Sequence, residues 1–288
     1  MKPNFLIIGS PKCGTTSLYK YLSQHPDIEF SDRKEPKFFC WNDKDLNFRG
    51  NSRVVNQIKA TTIQDRNEYL ALFKNKTSIH IGEASVDYFH SDNTAKKISD
   101  FNSNMKLILI LRNPVERAYS DWKHNVKMGY ENIRSFRKAI DAIAGRKKNN
   151  GVPYFDYLGK GNYASHLKEY LSYFNRKNLL VLFFEDFRTD PERTCKEILE
   201  FFGENSSFDF QTNTIYTQSG ELFKYYRLNY FANKLNLLDK RVGDVIRKIN
   251  KVPEHISKKD REHLIGYYRK EIEELEQILD KDLSQWLK

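Results

Sequence analysis

One stretch near the start of the chain combines residues suited to binding an anion: Gly9-Ser10-Pro11-Lys12-Cys13-Gly14-Thr15-Thr16-Ser17. It separates a short apolar run from a helical pattern, so a strand, a glycine-bounded turn and a helix N-terminus present backbone N–H groups to a ligand. The usual nucleoside-triphosphate loop, G-x-x-x-x-G-K-[ST], has a lysine after its second glycine. Here Thr15 follows Gly14, and the lysine lies inside the loop at Lys12. The pattern predicts a phosphate-binding loop for a different phosphate ester.

The alternative for this stretch is a tight strand-to-helix turn with a helix-capping threonine and no ligand. Lys12, Gly14, Thr15 and Thr16, directly after a buried strand, favour anion binding. Cys13 falls at a helix N-terminus, where a thiol can become reactive. A small side chain that fills a loop position is the simpler interpretation of Cys13.

A second polar segment follows the apolar run 106–111. We expect this run to be a buried strand that delivers Arg112 to its carboxyl end, where open α/β sheets bind ligands. Asn113, Pro114 and Glu116 have the order of a capping box for the next helix. Because a guanidinium binds phosphate bidentately, Arg112 is a candidate for holding a second phosphate. An ion pair between Arg112 and a nearby carboxylate is the alternative.

The helix after Arg112 has apolar residues at helical spacing, which predicts a buried stripe of Val115, Ala118, Tyr119, Trp122 and Val126. Arg117, Ser120 and His124 then fall on the other side of the helix. This placement leaves the Ser120 hydroxyl free to meet a ligand.

The elements that must position these segments alternate along the chain. Strands are predicted at 5–9, 78–82, 106–111 and 179–184, and the last two are nearly continuous apolar runs. Helical patterns occupy 15–24, 66–74, 94–101, 115–127, 163–174 and 191–202. This alternation predicts an α/β fold, doubly wound by default, in which a parallel β-sheet is flanked by helices on both faces.

From about Glu221 the chain predicts a helical C-terminal region, which ends in an amphipathic helix at 261–279 that packs back onto the core. Residues 144–152 are expected to form a surface loop, either beside an acceptor cleft or as a solvated connector. With 288 residues and no linker-like stretch, we expect a single domain over 1–288.

Composition indicates a soluble globular protein, since 39% of the residues are hydrophobic, 30% are charged and the mean hydropathy is -0.71. The net charge of +10 suits an anionic partner without distinguishing nucleic acid, polyanionic glycan or a multiply phosphorylated cofactor. The three cysteines match no zinc or disulfide framework, so reduced thiols are expected. The seven histidines form no ligand pair, so no metal is expected.

The N-terminal residues 1–4 run directly into a short apolar strand, which is too short for a signal peptide or a membrane span. We therefore expect a cytoplasmic protein with no transmembrane segment, although a catalytic domain cut from an anchored parent would look similar. The sequence does not indicate an oligomeric state.

The phosphate loop and the Arg112 segment together resemble the 5′-phosphosulfate loop and the 3′-phosphate segment of sulfotransferases that use 3′-phosphoadenosine 5′-phosphosulfate (PAPS). Supporting similarity extends over most of the chain, at 34–39, 82–89, 161–163, 185–186 and 282–287. The Lys-Glu-Pro-Lys-Phe-Phe segment at 34–39 resembles the glycan branch, which includes heparan-sulfate N- and 3-O-sulfotransferases and bacterial relatives. The catalytic base of that branch is a glutamate at the position of Glu35, whereas small-molecule sulfotransferases typically use a histidine. From the residues alone, Glu35 is equally a surface carboxylate in a charged turn.

The resemblance implies transfer of a sulfuryl group from PAPS to a hydroxyl or, less readily, an amine of a glycan or glycolipid, with 3′,5′-ADP (PAP) leaving and no metal. Glu35 would be the general base, a role that calls for burial of its carboxylate. Lys12 would neutralise charge on the departing 5′-phosphate, and Lys37 and His124 would assist near the acceptor. Donor binding is assigned to Pro11, Lys12, Cys13, Gly14, Thr15, Thr16, Ser17, Arg112, Ser120, Tyr163, Lys224 and Arg227. Within this set Thr15, Thr16 and Ser17 would bind the 5′-phosphate, and Arg112 with Ser120 the 3′-phosphate.

Two departures from the heparan-type pattern are visible. Glu83 is followed by Ala84, where those members carry a lysine, which weakens any claim to a heparan-like acceptor. No clear Lys-Gly-Arg loop lies near the C-terminus to close over the 3′-phosphate. Lys224 or Arg227, after Ser219-Gly220, is the nearest substitute.

Two other functions fit parts of the sequence. A P-loop kinase acting on a small metabolite would need a lysine at position 15 and a Walker-B acid for Mg²⁺, for which only Glu185-Asp186 is available. A basic module that binds nucleic acid is suggested by the charge, the 17 tyrosines and the 20 phenylalanines. Because no nucleic-acid motif appears and the aromatics fall mostly on core faces, no nucleic-acid partner is expected.

Overall fold

Five strands form one parallel sheet in the computed structural model, which describes residues 1–214, 216, 241–242, 245–246, 248 and 255–288. The strands are β1 (Phe5–Gly9), β2 (Ile28–Phe30), β3 (His80–Ala84), β4 (Lys106–Leu111) and β5 (Leu179–Phe183). Their order in the sheet is β2-β3-β1-β4-β5, and each neighbouring pair is parallel. The predicted parallel α/β sheet is therefore confirmed.

Strand β1 shows why the sequences of the sheet strands are nearly continuous apolar runs. All its residues are buried, but they divide between two clusters because successive side chains point to opposite faces. Leu6 and Ile8 belong to one hydrophobic cluster, and Phe5 and Ile7 belong to the other. Since both faces are covered, no position of this strand remains for a polar side chain.

The helices cover both faces of the sheet, as predicted. Helix α1 (Thr15–Leu22) and the later helix Pro191–Phe202 pack with the cluster of Phe5 and Ile7. Helices on the opposite face include Thr94–Phe101, Pro114–Lys127 and Tyr163–Tyr173. In chain order, the helices after α1 are α2 (Phe38–Trp41), α3 (Ser52–Thr61), α4 (Arg66–Ala71), α5 (Thr94–Phe101), α6 (Pro114–Lys127), α7 (Phe136–Asp141), α8 (Ile143–Lys148), α9 (Tyr163–Tyr173), α10 (Phe184–Thr189), α11 (Pro191–Phe202) and α12 (Lys258–Leu279).

Helix α12 is the predicted C-terminal amphipathic helix, and it packs against α9 and α6. It begins at Lys258, earlier than predicted, because the Ser257 hydroxyl accepts a hydrogen bond from the Asp260 N–H and caps the helix. None of the helices in the described part of the chain is long and apolar enough to cross a membrane.

The prediction of a surface loop at 144–152 is wrong for the first half of that segment. Residues 143–148 form α8, and the segment is anchored because Arg146 makes an ion pair of 2.7 Å with the buried carboxylate of Glu131. Gly151 then forms an isolated bridge with Arg49. The segment is therefore tied to two neighbours rather than being a free connector.

Candidate active site

The loop 10–14 joins β1 to α1 and leaves the N-terminus of that helix open. Gly14 is the N-cap residue with φ of 85°, no side chain caps the helix, and its first turn holds no acidic residue. A Cβ on Gly14 would lie 2.9 Å from a ring carbon of Phe187, so both backbone conformation and space call for glycine. The alternative of a capping threonine is not found, and the first backbone N–H groups of α1 remain available for an anion.

Lys12 lies in the middle of this loop with φ of 69°. No carboxylate among the described residues lies within ion-pair distance of its ammonium. Burial lowers the pKa of Lys12, the charge of Asp121 opposes that shift, and Arg112 adds to it. An anion bound in the loop would supply the missing countercharge.

Cys13, the next loop residue, points into the core. Burial raises the pKa of its thiol to about 12, so the thiolate is not populated near neutral pH. The simpler interpretation of Cys13, a small side chain that fills space, agrees with this position.

Arg112 follows β4 and reaches across to the phosphate loop. Its Nη1 donates a hydrogen bond of 3.1 Å to the Lys12 carbonyl, and its guanidinium lies 4.8 Å from the ring centroid of Phe184. Among the described residues Arg112 has no carboxylate partner, so the ion-pair alternative is wrong for this part of the chain. Tyr163 is buried, and its hydroxyl donates a hydrogen bond of 3.0 Å to the Arg112 carbonyl. Tyr163 therefore supports the backbone of Arg112.

Helix α6 begins as predicted, but its capping box does not close. The Asn113 side chain accepts hydrogen bonds from the N–H groups of Val115 and Glu116, at 3.0 and 3.4 Å. The Asn113 N–H donates to Glu185 at 3.0 Å, while the Glu116 carboxylate pairs with Arg261. Glu116 thus tethers α12 to α6 instead of completing the box.

The predicted apolar stripe of α6 is buried, but Arg117 is not on an open side of the helix. Its side chain is fully buried, forms an ion pair of 3.3 Å with Asp121 and donates to the Tyr157 carbonyl. The prediction failed because the segment around 157–163 packs over this side of α6. Ser120 keeps partial exposure and His124 is exposed, so both can contact solvent or a ligand.

Two buried ion pairs that sequence reasoning missed lie beneath the site. Lys160 donates hydrogen bonds to Asp121 at 2.9 Å and to the Tyr154 carbonyl at 2.8 Å. Lys37 forms an ion pair of 3.3 Å with Asp87 and also contacts the Tyr154 hydroxyl. Tyr154 thus links the ion pair at α6 to the turn that carries Lys37.

Glu35 and Lys37 lie in a turn with φ of 59° and 58°, a left-handed conformation that costs roughly 1–2 kcal/mol per non-glycine residue. The end of β3 holds this turn in place. The Glu35 N–H donates to the Ala84 carbonyl at 3.1 Å, and a Glu35 carboxylate oxygen accepts from the Val86 N–H at 3.4 Å. The Lys37 N–H donates to the Ser85 hydroxyl at 3.1 Å.

The expected burial of Glu35 is not found. Its side chain is 25% exposed, and its carboxylate pairs with Lys34 at 3.0 Å. Because β3, β1 and β4 are parallel neighbours, Glu35, the loop with Lys12 and Arg112 lie in that order along one edge of the sheet. This edge carries one partly exposed carboxylate beside two cations that have no acidic partner among the described residues.

Comparisons with known proteins identify the family of this chain. A family model for the sulfotransferase domain matches residues 2–286. The chain belongs to the sulfotransferase family. The crystal structure of a sulfotransferase from Alicyclobacillus acidocaldarius superposes with a TM-score of 0.81 at 30% sequence identity and covers 100% of both chains.

Two of the sulfotransferase's curated relatives have names that include a glycan or carbohydrate. The human bifunctional heparan sulfate N-deacetylase/N-sulfotransferase 3 is 31% identical over 210 residues, which are 70% of this chain and 22% of that protein. Human carbohydrate sulfotransferase 15 is 25% identical over 255 residues, which are 69% of this chain and 43% of that protein. The chain thus spans less than half the length of these relatives.

The two residues predicted to assist near the acceptor differ in charge within the candidate site. Burial opposes the charge of Lys37, but Asp87 and Tyr154 outweigh that effect and raise its pKa above the ordinary value. The His124 side chain reaches solvent, but the protein around it shields part of the imidazole from water. This desolvation and the charge of Lys12 lower the pKa of His124 to about 4. Lys37 is therefore a cation at neutral pH, and His124 is a neutral imidazole.

Two residues predicted to bind the donor, Lys224 and Arg227, lie outside the described residues. Within the described residues no group of three or more His, Cys, Asp or Glu side chains is arranged to hold a metal ion.

Glu83 is a buried carboxyl group beside the candidate site, and the sequence did not predict a role for it. Its side chain is fully buried, and burial raises its pKa to about 8. It accepts hydrogen bonds from the Ser85 hydroxyl at 2.9 Å and the Tyr69 hydroxyl at 3.5 Å. Four other titratable groups interact electrostatically with the Glu83 carboxyl group, so that the pKa of one depends on the charge of the other: Tyr88, Cys40, Lys34 and Glu35.

Replacing Glu83 by glutamine is expected to flatten the pH dependence of stability. In the wild type the unfolded chain releases this proton near the ordinary value of 4.5, while the folded chain keeps it up to about pH 8. The free energy of unfolding therefore falls as pH rises between these values, by a few kcal/mol, because the unfolded state binds fewer protons.

Urea unfolding at pH 5, 6.5 and 8 measures this slope for both proteins. Glu262→Gln is the matched control, since this carboxylate on α12 is 64% exposed. Parallel stability profiles for wild type and Glu83→Gln would show that Glu83 does not titrate in this range.

Proposed function

We propose that this protein transfers the sulfuryl group of PAPS to a hydroxyl or, less readily, an amine of a saccharide acceptor in a glycan or glycolipid. The observation that carries the proposal is the edge of the sheet where Lys12, the uncapped N-terminus of α1 and Arg112 lie together with no carboxylate partner for either side chain among the described residues. Family membership supports sulfuryl transfer, and the names of the curated relatives support a carbohydrate acceptor.

The residues at this edge fit the two phosphate positions of PAPS. The N–H groups at the start of α1, with Thr15, Thr16 and Ser17, would hold the 5′-phosphate. The Ser10 hydroxyl at the base of the loop is buried with no hydrogen-bond partner in the described structure, so the loop has a further donor to offer. Arg112 and Ser120 would hold the 3′-phosphate, which ATP lacks.

The chemistry needs a base, a positive charge and correct alignment. PAPS supplies the activated sulfuryl group. Glu35 would take the proton of the acceptor hydroxyl. Because its side chain is partly exposed, the bound acceptor itself must exclude water from the carboxylate. Lys12 would offset the negative charge that grows on the departing 5′-phosphate, and Lys37 would add a fixed positive charge beside Glu35.

A kinase is not favoured by the same geometry. Thr15 stands where a kinase loop needs lysine, and the candidate Walker-B acids are engaged elsewhere. Glu185 accepts from the Asn113 N–H, and Asp186 pairs at the surface with Lys281 at 3.4 Å.

Calorimetric binding of 3′,5′-ADP, compared with ATP and Mg²⁺, tests the proposal. We expect tight binding of 3′,5′-ADP that does not require a metal. Arg112→Ala should weaken it by about 10- to 100-fold, because a charge-assisted phosphate contact contributes roughly 1.5–3 kcal/mol.

Arg269→Ala is the matched control for this substitution, since Arg269 is exposed on α12 and pairs only with Glu273 among the described residues. Its affinity for 3′,5′-ADP should equal that of the wild type. A preference for ATP with Mg²⁺, or no nucleotide binding by the folded protein, would contradict the sulfotransferase proposal.

A further inference from the structure

The turn that carries Glu35 is unusual because both Glu35 and Lys37 are non-glycine residues in the left-handed conformation. Such residues persist only where the surroundings fix them. The ion pair of Lys37 with Asp87, the hydrogen bond from the Ile63 N–H to the Pro36 carbonyl and three hydrogen bonds to residues 84–86 contribute to this restraint. Of the three to 84–86, only the one between the Lys37 N–H and the Ser85 hydroxyl ends on a side chain of residues 84–86.

The Ser85 hydroxyl is oriented from behind by a buried carboxyl group. A hydroxyl can donate one hydrogen bond and accept two, and it rotates to suit its partners. Ser85 donates to Glu83 at 2.9 Å, which directs its lone pairs toward the Lys37 N–H at 3.1 Å. Both Ser85 and Glu83 are fully buried, so water does not compete for these groups.

Glu83 is itself held in one position. The Tyr69 hydroxyl of α4 approaches its other oxygen at 3.5 Å, and the carboxyl group lies within β3, whose neighbours on both sides are strands. A chain of two hydrogen bonds therefore connects the sheet to the turn: the Ser85 hydroxyl donates to Glu83 and accepts from the Lys37 N–H. Glu83 orients the Ser85 hydroxyl, and the Ser85 hydroxyl holds the Lys37 backbone.

We propose that Glu83 and Ser85 are positioning residues that keep the turn 35–37 in its left-handed conformation and so aim the Glu35 carboxylate at the acceptor. The aim of Glu35 rests on the proposed function, whereas the restraint on the turn does not. Neither residue contacts the reacting atoms in this role. Their effect is on orientation, to which proton transfer is sensitive because donor and acceptor must meet at hydrogen-bond distance.

Hydrogen exchange of a peptide covering 34–39 tests the restraint directly. Ser85→Ala removes the acceptor for the Lys37 N–H, and we expect exchange in this peptide to become at least about tenfold faster. Ser85→Thr retains the hydroxyl and should keep exchange within about twofold of wild type. Ser172→Ala, on the exposed surface of α9, is the matched control. Unchanged exchange in Ser85→Ala would overturn the proposal.

The catalytic half of the proposal is tested with radiolabelled PAPS and fully desulfated heparin as the acceptor probe, because this saccharide offers both free hydroxyls and free amines. Ser85→Ala should lower kcat by at least about tenfold, leave the KM for PAPS unchanged and recover when threonine replaces serine. Faster exchange with an unchanged kcat would overturn the role in aiming Glu35. Failure of the wild type to bind 3′,5′-ADP would instead reject the proposed function, and the exchange result would still decide whether Ser85 restrains the turn. Exchange of the same peptide in Glu83→Gln decides whether Glu83 contributes, and unchanged exchange in that variant would remove Glu83 from the proposal.

Discussion

Replacing Glu35 by glutamine is expected to lower kcat for sulfuryl transfer by about 10²- to 10⁴-fold, the contribution typical of a positioned general base. The glutamine side chain has the same shape and can still accept a hydrogen bond from the Val86 N–H, but it cannot take a proton from the acceptor. The turn with Glu35 packs against the end of β3, whereas the phosphate loop follows β1. The affinity for 3′,5′-ADP should therefore remain that of the wild type.

Asp32→Asn is the matched control for Glu35→Gln. Asp32 precedes the same turn, is 58% exposed and pairs with Lys76 at 2.7 Å, so the substitution removes one negative charge nearby without touching Glu35. Initial-rate kinetics with radiolabelled PAPS measure both variants. A kcat for Glu35→Gln within about threefold of wild type would reject Glu35 as the base and favour the surface-carboxylate interpretation of this turn.

Features carried by consecutive residues were predictable from the sequence. Strand β4 is a nearly continuous apolar run in which Leu107–Leu111 are buried, and it lies where it was predicted, at Lys106–Leu111. The helix at 94–101 also has the predicted bounds. Strand β2 was missed because Ile28–Phe30 is too short to show periodicity and is identified only by its pairing with β3.

Contacts between distant residues were not predictable. The sequence places Lys160 between two glycines, which gives no sign that its ammonium lies buried beside Asp121 of α6. A helical wheel also treats a helix as having one buried side, whereas α6 is covered by the core on one side and by the segment around 157–163 on the other. This is why Arg117 was predicted beside Ser120 and His124 but is buried.

Lys12→Met is expected to lower kcat by about 10²- to 10³-fold, the loss typical when one electrostatic contact to a developing charge is removed. Methionine keeps the length and apolar stem of the side chain, so the loop should retain its shape while losing the positive charge. The ammonium has no carboxylate partner among the described residues, which leaves its full charge for the ligand.

The effect of Lys12→Met on affinity for 3′,5′-ADP should be smaller than its effect on kcat. The backbone N–H groups of α1 and the Arg112 guanidinium still hold the phosphates of the bound product, whereas the charge on the departing group grows only during transfer. Lys20→Met, at the exposed end of α1, is the matched control. Equal losses in affinity and in kcat would indicate that Lys12 binds the donor uniformly, and its role in stabilising the departing 5′-phosphate would be rejected.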